Sequence, residues 1–216
     1  MNLATIQRQY DEVVAEHYDF DPQGVTGAAL DRAVDQLRRH GVLAADPVRA
    51  LDLGVGTGLF LAKLAAAAGD RVAPFGLDIS AKMIDKARVR VPDLAAEVDD
   101  AANVDAHFPG QQFDVVCTHF ITGFVPMTVL APKIRERLAD GGVWSFVGGT
   151  MAGFPGLQRW TDSKLVKLMG GSQAPPTAEM VSNPADEADV RRTLEANGFA
   201  VRAVETFEPP VSFPDY

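Results

Sequence analysis

The chain has 216 residues, 47% of them hydrophobic and 23% charged, with a formal net charge of −9. That is enough for one sizeable core and too short for two full domains, and the mixture excludes a disordered or membrane-embedded chain. An acidic average repels a phosphate backbone, and basic residues gather no more densely than Lys82-Lys86-Arg88-Arg90 and Arg191-Arg192, so nucleic acid is not an expected partner. The lone Cys117 permits no internal disulfide and sits in an apolar run, as a buried thiol would. No apolar leader or run of membrane-spanning length is present, so the expectation is a cytoplasmic protein with no membrane partner.

Leu3, Ile6, Tyr10, Val13 and His17 recur at three- and four-residue spacing, which predicts an amphipathic helix. A second helix is predicted over 26–40, with Leu30, Val34 and Leu37 as its stripe and Gly41 as its stop. Residues 1–45 read as an N-terminal helical lid, and 46–216 as the main domain. Strands and helices then alternate. A strand at 48–53 is followed by a helix at 57–68. Next come a strand at 72–77, short or irregular because of Pro74, and a helix capped by Ser80. A weak strand at 95–98, a strong one at 113–119, a helix at 129–138 ended by Gly141-Gly142, and a strand at 143–147 follow. Between 148 and 184 the rhythm stops. That stretch reads as an insertion with one short helix bearing Leu157, Trp160, Leu165 and Leu168. A helix at 186–196 and a strand at 199–204 close the pattern. Strand–helix alternation predicts a doubly wound α/β domain, with a parallel sheet covered by helices on both faces.

The sharpest feature is Asp52-Leu-Gly54-Val-Gly56-Thr57-Gly58, between a predicted strand and a predicted helix. Glycines there permit a tight turn and close approach of backbone to a ligand at the helix N-terminus. The dinucleotide fingerprint needs a glycine where this chain has Leu59, and no Gly-Lys-Ser/Thr follows for a phosphate loop of the Walker kind. Asp78 falls at the end of the second strand, where a carboxylate can accept hydrogen bonds from a ribose diol. The alternative for Asp78 is a solvated loop residue or helix cap.

The ordered set Asp52-Leu-Gly-Val-Gly-Thr-Gly58, Asp78-Ile-Ser-Ala-Lys-Met83, Asp99-Asp-Ala101 and Phe113-Asp-Val-Val-Cys117 resembles the class I S-adenosylmethionine-dependent methyltransferases. Within them it is similar to the small-molecule branch of the ubiquinone-biosynthesis C-methyltransferases. A leader similar to Tyr10-Asp…His17-Tyr18-Asp19 often precedes that core, and Leu194…Asn197-Gly-Phe199 resembles its last helix-to-strand join. The resemblance implies a Rossmann-like, mostly parallel seven-stranded sheet with an antiparallel last strand. It implies S-adenosylmethionine as cofactor and S-adenosylhomocysteine as product. Asp52, Gly54, Gly56 and Gly58, with Thr57, would surround the methionine moiety. Asp78 would hold the ribose, Ile79 and Met83 would pack on the adenine, and Tyr18 would close over the cofactor. Asp100 would bond the adenine amino group beside the Ala101 backbone. The family often has glycine where Asp99 stands, so either Asp99 or Asp100 can face the adenine.

A sulfonium methyl is already electrophilic, so the protein need only align it with a nucleophile. No catalytic triad is required, and the four histidines show no metal-ligand spacing, so no metal is expected. His119, ending the fourth strand, is the candidate base; the alternative is a packed histidine bonded to a backbone carbonyl. His17 packs or helps close the lid, His40 sits at a helix C-terminus, and His107 lies in a loop with no assigned role. Phe120, Phe124, Met127, Met151, Phe154, Trp160 and Met169 give the expected acceptor pocket an apolar, aromatic character. The expected partner is a small hydrophobic or aromatic acceptor, methylated on O, C or N, with the protein a monomer or homodimer. The competing readings are a dinucleotide oxidoreductase and a catalytically silent binding subunit of the same fold.

Overall fold

β1 (Val48–Leu53) is the axis of the fold, with Val48, Ala50, Leu51 and Leu53 all fully buried. A strand covered on both faces carries apolar residues on both, here Val48 and Ala50 on one and Leu51 and Leu53 on the other. The computed structural model that shows this describes residues 3–153 and 182–207. The helix expected from Leu157, Trp160, Leu165 and Leu168, and the lining residues Phe154, Trp160 and Met169, lie outside them.

β2 (Val72–Asp78) and β4 (Phe113–His119) flank β1, with β3 (Ala95–Val98) outside β2 and β5 (Leu138–Val147) outside β4. The order is β3-β2-β1-β4-β5 and every pair is parallel. The chain therefore winds outward in one direction from β1 to β3 and in the other from β4 to β5. Loops leaving β1 and β4 diverge, which opens a crevice at the C-terminal ends of these strands.

Alternation along β1 sends Val48 and Ala50 to one face and Leu51 and Leu53 to the other. The first face is covered by α3 (Val25–Arg39), α4 (Leu59–Ala68) and α5 (Ala81–Arg90), through Leu30, Val34, Phe60, Leu64 and Ile84 among others. The second is covered by α6 (Met127–Arg137) and a 3-10 stretch over Ala101–Ala106, through Leu130, Ile134 and Val104. Each fully buried leucine in these layers contributes roughly 1.5–3 kcal/mol. α7 (Glu187–Ala196) starts at Asp186, whose carboxylate accepts the Asp189 N–H.

Three expectations need correction. Five strands, all parallel, are present among the described residues, and none is antiparallel. Residues 199–204 run past the start of β5 without joining its ladder: Phe199 packs on Trp144 and Glu205 pairs with Arg39 on α3. Strand propensity there is not matched by a paired backbone, because pairing depends on context more than on the residues themselves. β2 is seven residues long and regular despite Pro74. Pro74 pairs in register only with Ala50, and β3 joins from Phe75 onward, so no neighbour calls on the missing N–H.

The first helix is also not uniform. α1 (Leu3–Gln9) passes into a π-helical turn over Tyr10–Val14 and then α2 (Ala15–His17). Residues 3–21 form an arm across the sheet's rim. α3, by contrast, is part of the core, and its start is held by Asp21, which accepts the N–H groups of Val25 and Gly27.

Candidate functional site

The loop after β1 is built by local sterics. Gly54 has φ +76°, and a Cβ added there would lie 2.2 Å from Ile121 Cγ2. Gly58, also at φ +76°, starts α4 against the Ala87 backbone, 3.1 Å from where a Cβ would sit. Both are left-handed positions with no space for a side chain. The N–H groups of Gly54 and Val55 both donate to the Leu77 carbonyl, which folds the loop over the end of β2.

Asp78 then locks the loop. Its Oδ2 accepts the Gly56 N–H at 2.8 Å and its Oδ1 the Ser80 N–H at 2.9 Å. Each carboxylate oxygen keeps a second acceptor direction, which is what a ribose diol would use. Asp78 is buried rather than turned to solvent. Burial raises its pKa, and the Ser80 and Gly56 N–H groups oppose that rise.

Asp52 lies one strand over, opposite Gly76 on β2 and Cys117 on β4. It is 3% exposed, and its Oδ1 is without a hydrogen-bond partner among the described residues. Burial, and secondarily the charge of Asp78, raise its pKa well above the usual carboxylate range. Cys117 beside it is a buried free thiol.

The N-terminal arm crosses the loop. Tyr18 Cε1 lies 3.3 Å from the position a Gly56 Cβ would take, and Tyr10 packs between Tyr18 and Phe124. Burial, with the nearby Tyr10, Asp78, Asp52 and Asp19, pushes the Tyr18 pKa up, so its hydroxyl stays a donor. Asp11 accepts from the Ser80 hydroxyl, Lys86 donates to the Ala15 carbonyl, and Asp19 pairs with Arg90 at 2.7 Å.

The expected cofactor residues do not all face one way. Asp52, Gly54, Gly56, Asp78 and Tyr18 lie together at the C-terminal ends of β1 and β2, with Ile121 packed on Gly54 and Tyr18 on Gly56. Thr57 turns away, its hydroxyl donating to Asp19 at 2.6 Å and accepting from Arg90. Met83 is fully buried in the first turn of α5 below Ser80, with the half-buried Ile79 just before it. Of the two acids after β3, Asp99 is fully engaged, accepting from Asp100 N, Asn103 Nδ2 and a His107 nitrogen. Asp100 caps the Ala102 N–H through Oδ1 alone. That leaves Asp100 Oδ2, beside the buried Ala101, as the available acceptor.

His119 sits at the end of β4, 7% exposed, with its ring edge-on to Phe60 at 4.1 Å. Its Nε2 is 3.0 Å from the Ser145 hydroxyl, not a backbone carbonyl, and Nδ1 has no partner among the described residues. Burial lowers its pKa to about 3. On the acceptor side, Phe120, Phe124 and Met151 are exposed, whereas Met127 is buried at the start of α6. Phe120 has φ +62°, an uncommon backbone for a non-glycine residue. The two ends of the expected insertion meet there, Met151 N–H donating to Pro184 and Ser182 N–H to Gly123.

The sequence reading gave no role to Ile121, Asp11, Arg90 or His107. Asp11 and Asp19 entered it only as the acids after the two arm tyrosines in the leader.

Against known proteins, residues 50–142 match the family model described as a methyltransferase domain. The matched stretch is a little under half of the chain. Among curated relatives, the chain is 32% identical over 130 residues to a phosphatidylethanolamine N-methyltransferase of Cereibacter sphaeroides, covering 58% of each chain. It is 36% identical over 98 residues to a trans-aconitate 2-methyltransferase of Methylobacterium radiotolerans, covering 45% of this chain and 36% of that one. The chain thus spans a little over half of the first relative's length and about a third of the second's. In fold, it resembles the plantazolicin methyltransferase BamL, with TM-score 0.58 and 14% identity over 91% of this chain and 76% of that one. It also resembles a putative O-methyltransferase from Nostoc punctiforme, with TM-score 0.57 and 16% identity over 87% and 53%. The matched stretch takes in most of β1, the glycine loop, Asp78, the Asp99-Asp100 turn and β4. Among the described residues no helix is long and apolar enough to cross a membrane, and no cluster of His, Cys, Asp and Glu could hold a metal ion.

Proposed function

We propose that the chain transfers the methyl group of S-adenosylmethionine to a small hydrophobic or aromatic acceptor. The observation that carries this reading is the pair Asp52 and Asp78. Two carboxylates lie buried at the ends of neighbouring strands, under a loop that admits no side chain, and one Asp52 oxygen has no partner. Among the described residues no Lys or Arg pairs with either acid. Buried charge without a counter-charge is costly, and a cationic ligand relieves that cost. A sulfonium nucleoside with an α-ammonium group has that character. A pyrophosphate does not: Asp52 would repel it, which argues against the dinucleotide reading.

The residues fit the group as follows. Asp52 receives the ammonium through its unpaired oxygen. Asp78 keeps its two backbone partners and accepts the ribose hydroxyls. Asp100 Oδ2 accepts from the adenine amino group, and Ile79 and Met83 bound the ring. Tyr18 and Tyr10 keep water out above the loop. When bound, the cofactor supplies a methyl already activated on sulfur. The chain's task is then to hold an acceptor atom in line with that methyl, in the space bounded by Tyr10, Phe120, Phe124 and Met151. With its pKa near 3, His119 is a poor proton acceptor at neutral pH, and the geometry favours its packing role. An acceptor of the kind used by the ubiquinone-biosynthesis C-methyltransferases suits this apolar rim, with the chain acting as a monomer or homodimer.

The test is titration calorimetry with S-adenosylmethionine, S-adenosylhomocysteine and NADH, followed by a turnover assay on a panel of phenols, enols, amines and carboxylic acids. Binding of the first two, and product from at least one acceptor, is expected. Binding of NADH alone would return the oxidoreductase reading; binding without turnover on any acceptor would favour the silent subunit.

A further inference from the structure

His107 lies between two carboxylates. Its Nδ1 is 2.7 Å from Glu97 Oε2 on β3, and its Nε2 is 2.8 Å from Asp99 Oδ2 just beyond β3. Only an imidazolium can donate to both; the neutral ring would leave a lone pair against a carboxylate oxygen. The main chain at His107 is held in place independently of these bonds. Arg137 on α6 donates to the carbonyls of His107 and Phe108, and the His107 N–H donates to Val104. Other charged groups on the elements packed here are Asp105 and Lys133, which pair with each other, and Asp100. Asp99 passes the constraint inward. Its Oδ1 accepts the Asp100 N–H at 2.7 Å and the Asn103 amide at 2.9 Å, and its own N–H donates to the Asp78 carbonyl at 3.0 Å. Through Asp99 the ring is thus linked to the backbone of both Asp78 and Asp100.

We propose that His107, in its protonated form, is a positioning residue for the bound nucleoside. It holds the 99–101 turn so that Asp100 meets the adenine while Asp78 meets the ribose, and cofactor affinity falls when the proton is lost. This rests on the reading of the crevice as an S-adenosyl nucleoside site. Although burial of the ring disfavours its charge, the bonds to Asp99 and Glu97 outweigh that and raise the His107 pKa, while Asp99 is lowered by the same contact.

The experiment is calorimetric titration of S-adenosylhomocysteine into the full chain at around pH 6 and around pH 9, on either side of the imidazole range. Wild type is expected to bind about fivefold or more tightly at the lower pH, the size of an ordinary coupling between sites. His107→Gln should bind more weakly than wild type at the lower pH and should lose the part of the pH difference that wild type owes to the imidazolium. Asp99→Asn, whose amide can donate to a neutral ring nitrogen, should keep at the higher pH the affinity that wild type loses. The NMR pKa of His107 in wild type should rise on ligand binding, a shift that a merely structural histidine would not show. Equal affinity for wild type and His107→Gln at both values, with an unmoved His107 pKa, would overturn the proposal while leaving the nucleoside site standing. Failure of folded wild type to bind at either pH would overturn the site reading and this proposal together.

Discussion

Asp52, next to last in β1, and Asp78, last in the parallel β2, lie close enough that the charge of Asp78 adds to burial in raising the proton affinity of Asp52. For a carboxyl whose folded pKa is raised, the protonated form is favoured in the fold. Stability is therefore highest below the unfolded value and declines as pH rises through the folded one. Asp52→Asn should accordingly raise Tm at neutral pH while weakening S-adenosylmethionine binding about tenfold or more, as a charge-assisted bond is lost. Thermal melts and calorimetry on the same preparation check both halves. A variant that binds as tightly as wild type would remove Asp52 from the site.

The same linkage fixes a pH dependence. A cation that prefers ionised Asp52 must bind more tightly as pH rises through the raised Asp52 pKa. Affinity for S-adenosylmethionine should rise along the acid limb, and Asp52→Asn should flatten that limb alone. Titrations across the acid range measure it, and an unchanged limb in the variant would assign the rise elsewhere.

Removing Asp78 acts twice, on the ribose and on the Gly56 and Ser80 N–H groups it holds. Asp78→Ala should weaken S-adenosylhomocysteine binding by about tenfold or more. Asp78→Asn, which still accepts one of those N–H groups, should lose less. Equal affinity for wild type and Asp78→Ala, measured by calorimetry, would take the residue out of nucleoside recognition.

At Gly54 the steric demand is severe. Gly54→Ala places a methyl within 2.2 Å of Ile121 Cγ2 at a left-handed φ. The conformational penalty alone is roughly 1–2 kcal/mol. Binding should be lost while the sheet, whose core lies below the loop, stays folded by circular dichroism. Adding Ile121→Ala relieves the contact but not the φ, so it should restore binding only in part. Full binding in the single variant would show that the loop tolerates a side chain and is not a ligand cradle.

His119→Ala separates base from packing. The packing role predicts a lower Tm, from the lost contact with Phe60, and turnover reduced by less than about threefold. A general base predicts a fall of about a hundredfold or more in kcat with S-adenosylhomocysteine affinity unchanged. Kinetics on any acceptor that turns over decides between them.

Much of the fold was legible because its signals are local. Leu30, Val34 and Leu37 do form the buried stripe of α3, Ser80 does cap α5, and the glycines of the 54–58 loop do adopt backbones that side chains resist. Residues 199–204 were misread because their alternation describes a strand's surface but not its partner. The direction of Thr57, toward Asp19 and Arg90, was not legible because a loop position does not reveal which way its side chain turns.

The sequence alone determined the order of elements, the glycine turn and the acids placed at strand ends, since these follow from periodicity and steric rules within a few residues. Only the tertiary structure decided that Asp52 has an unpaired oxygen, that His119 faces Phe60, and that His107 bridges Glu97 and Asp99. Charge interaction and desolvation depend on distance through space, and residues far apart in the chain, such as Asp52 and Asp78, meet only once the sheet has brought their strands together.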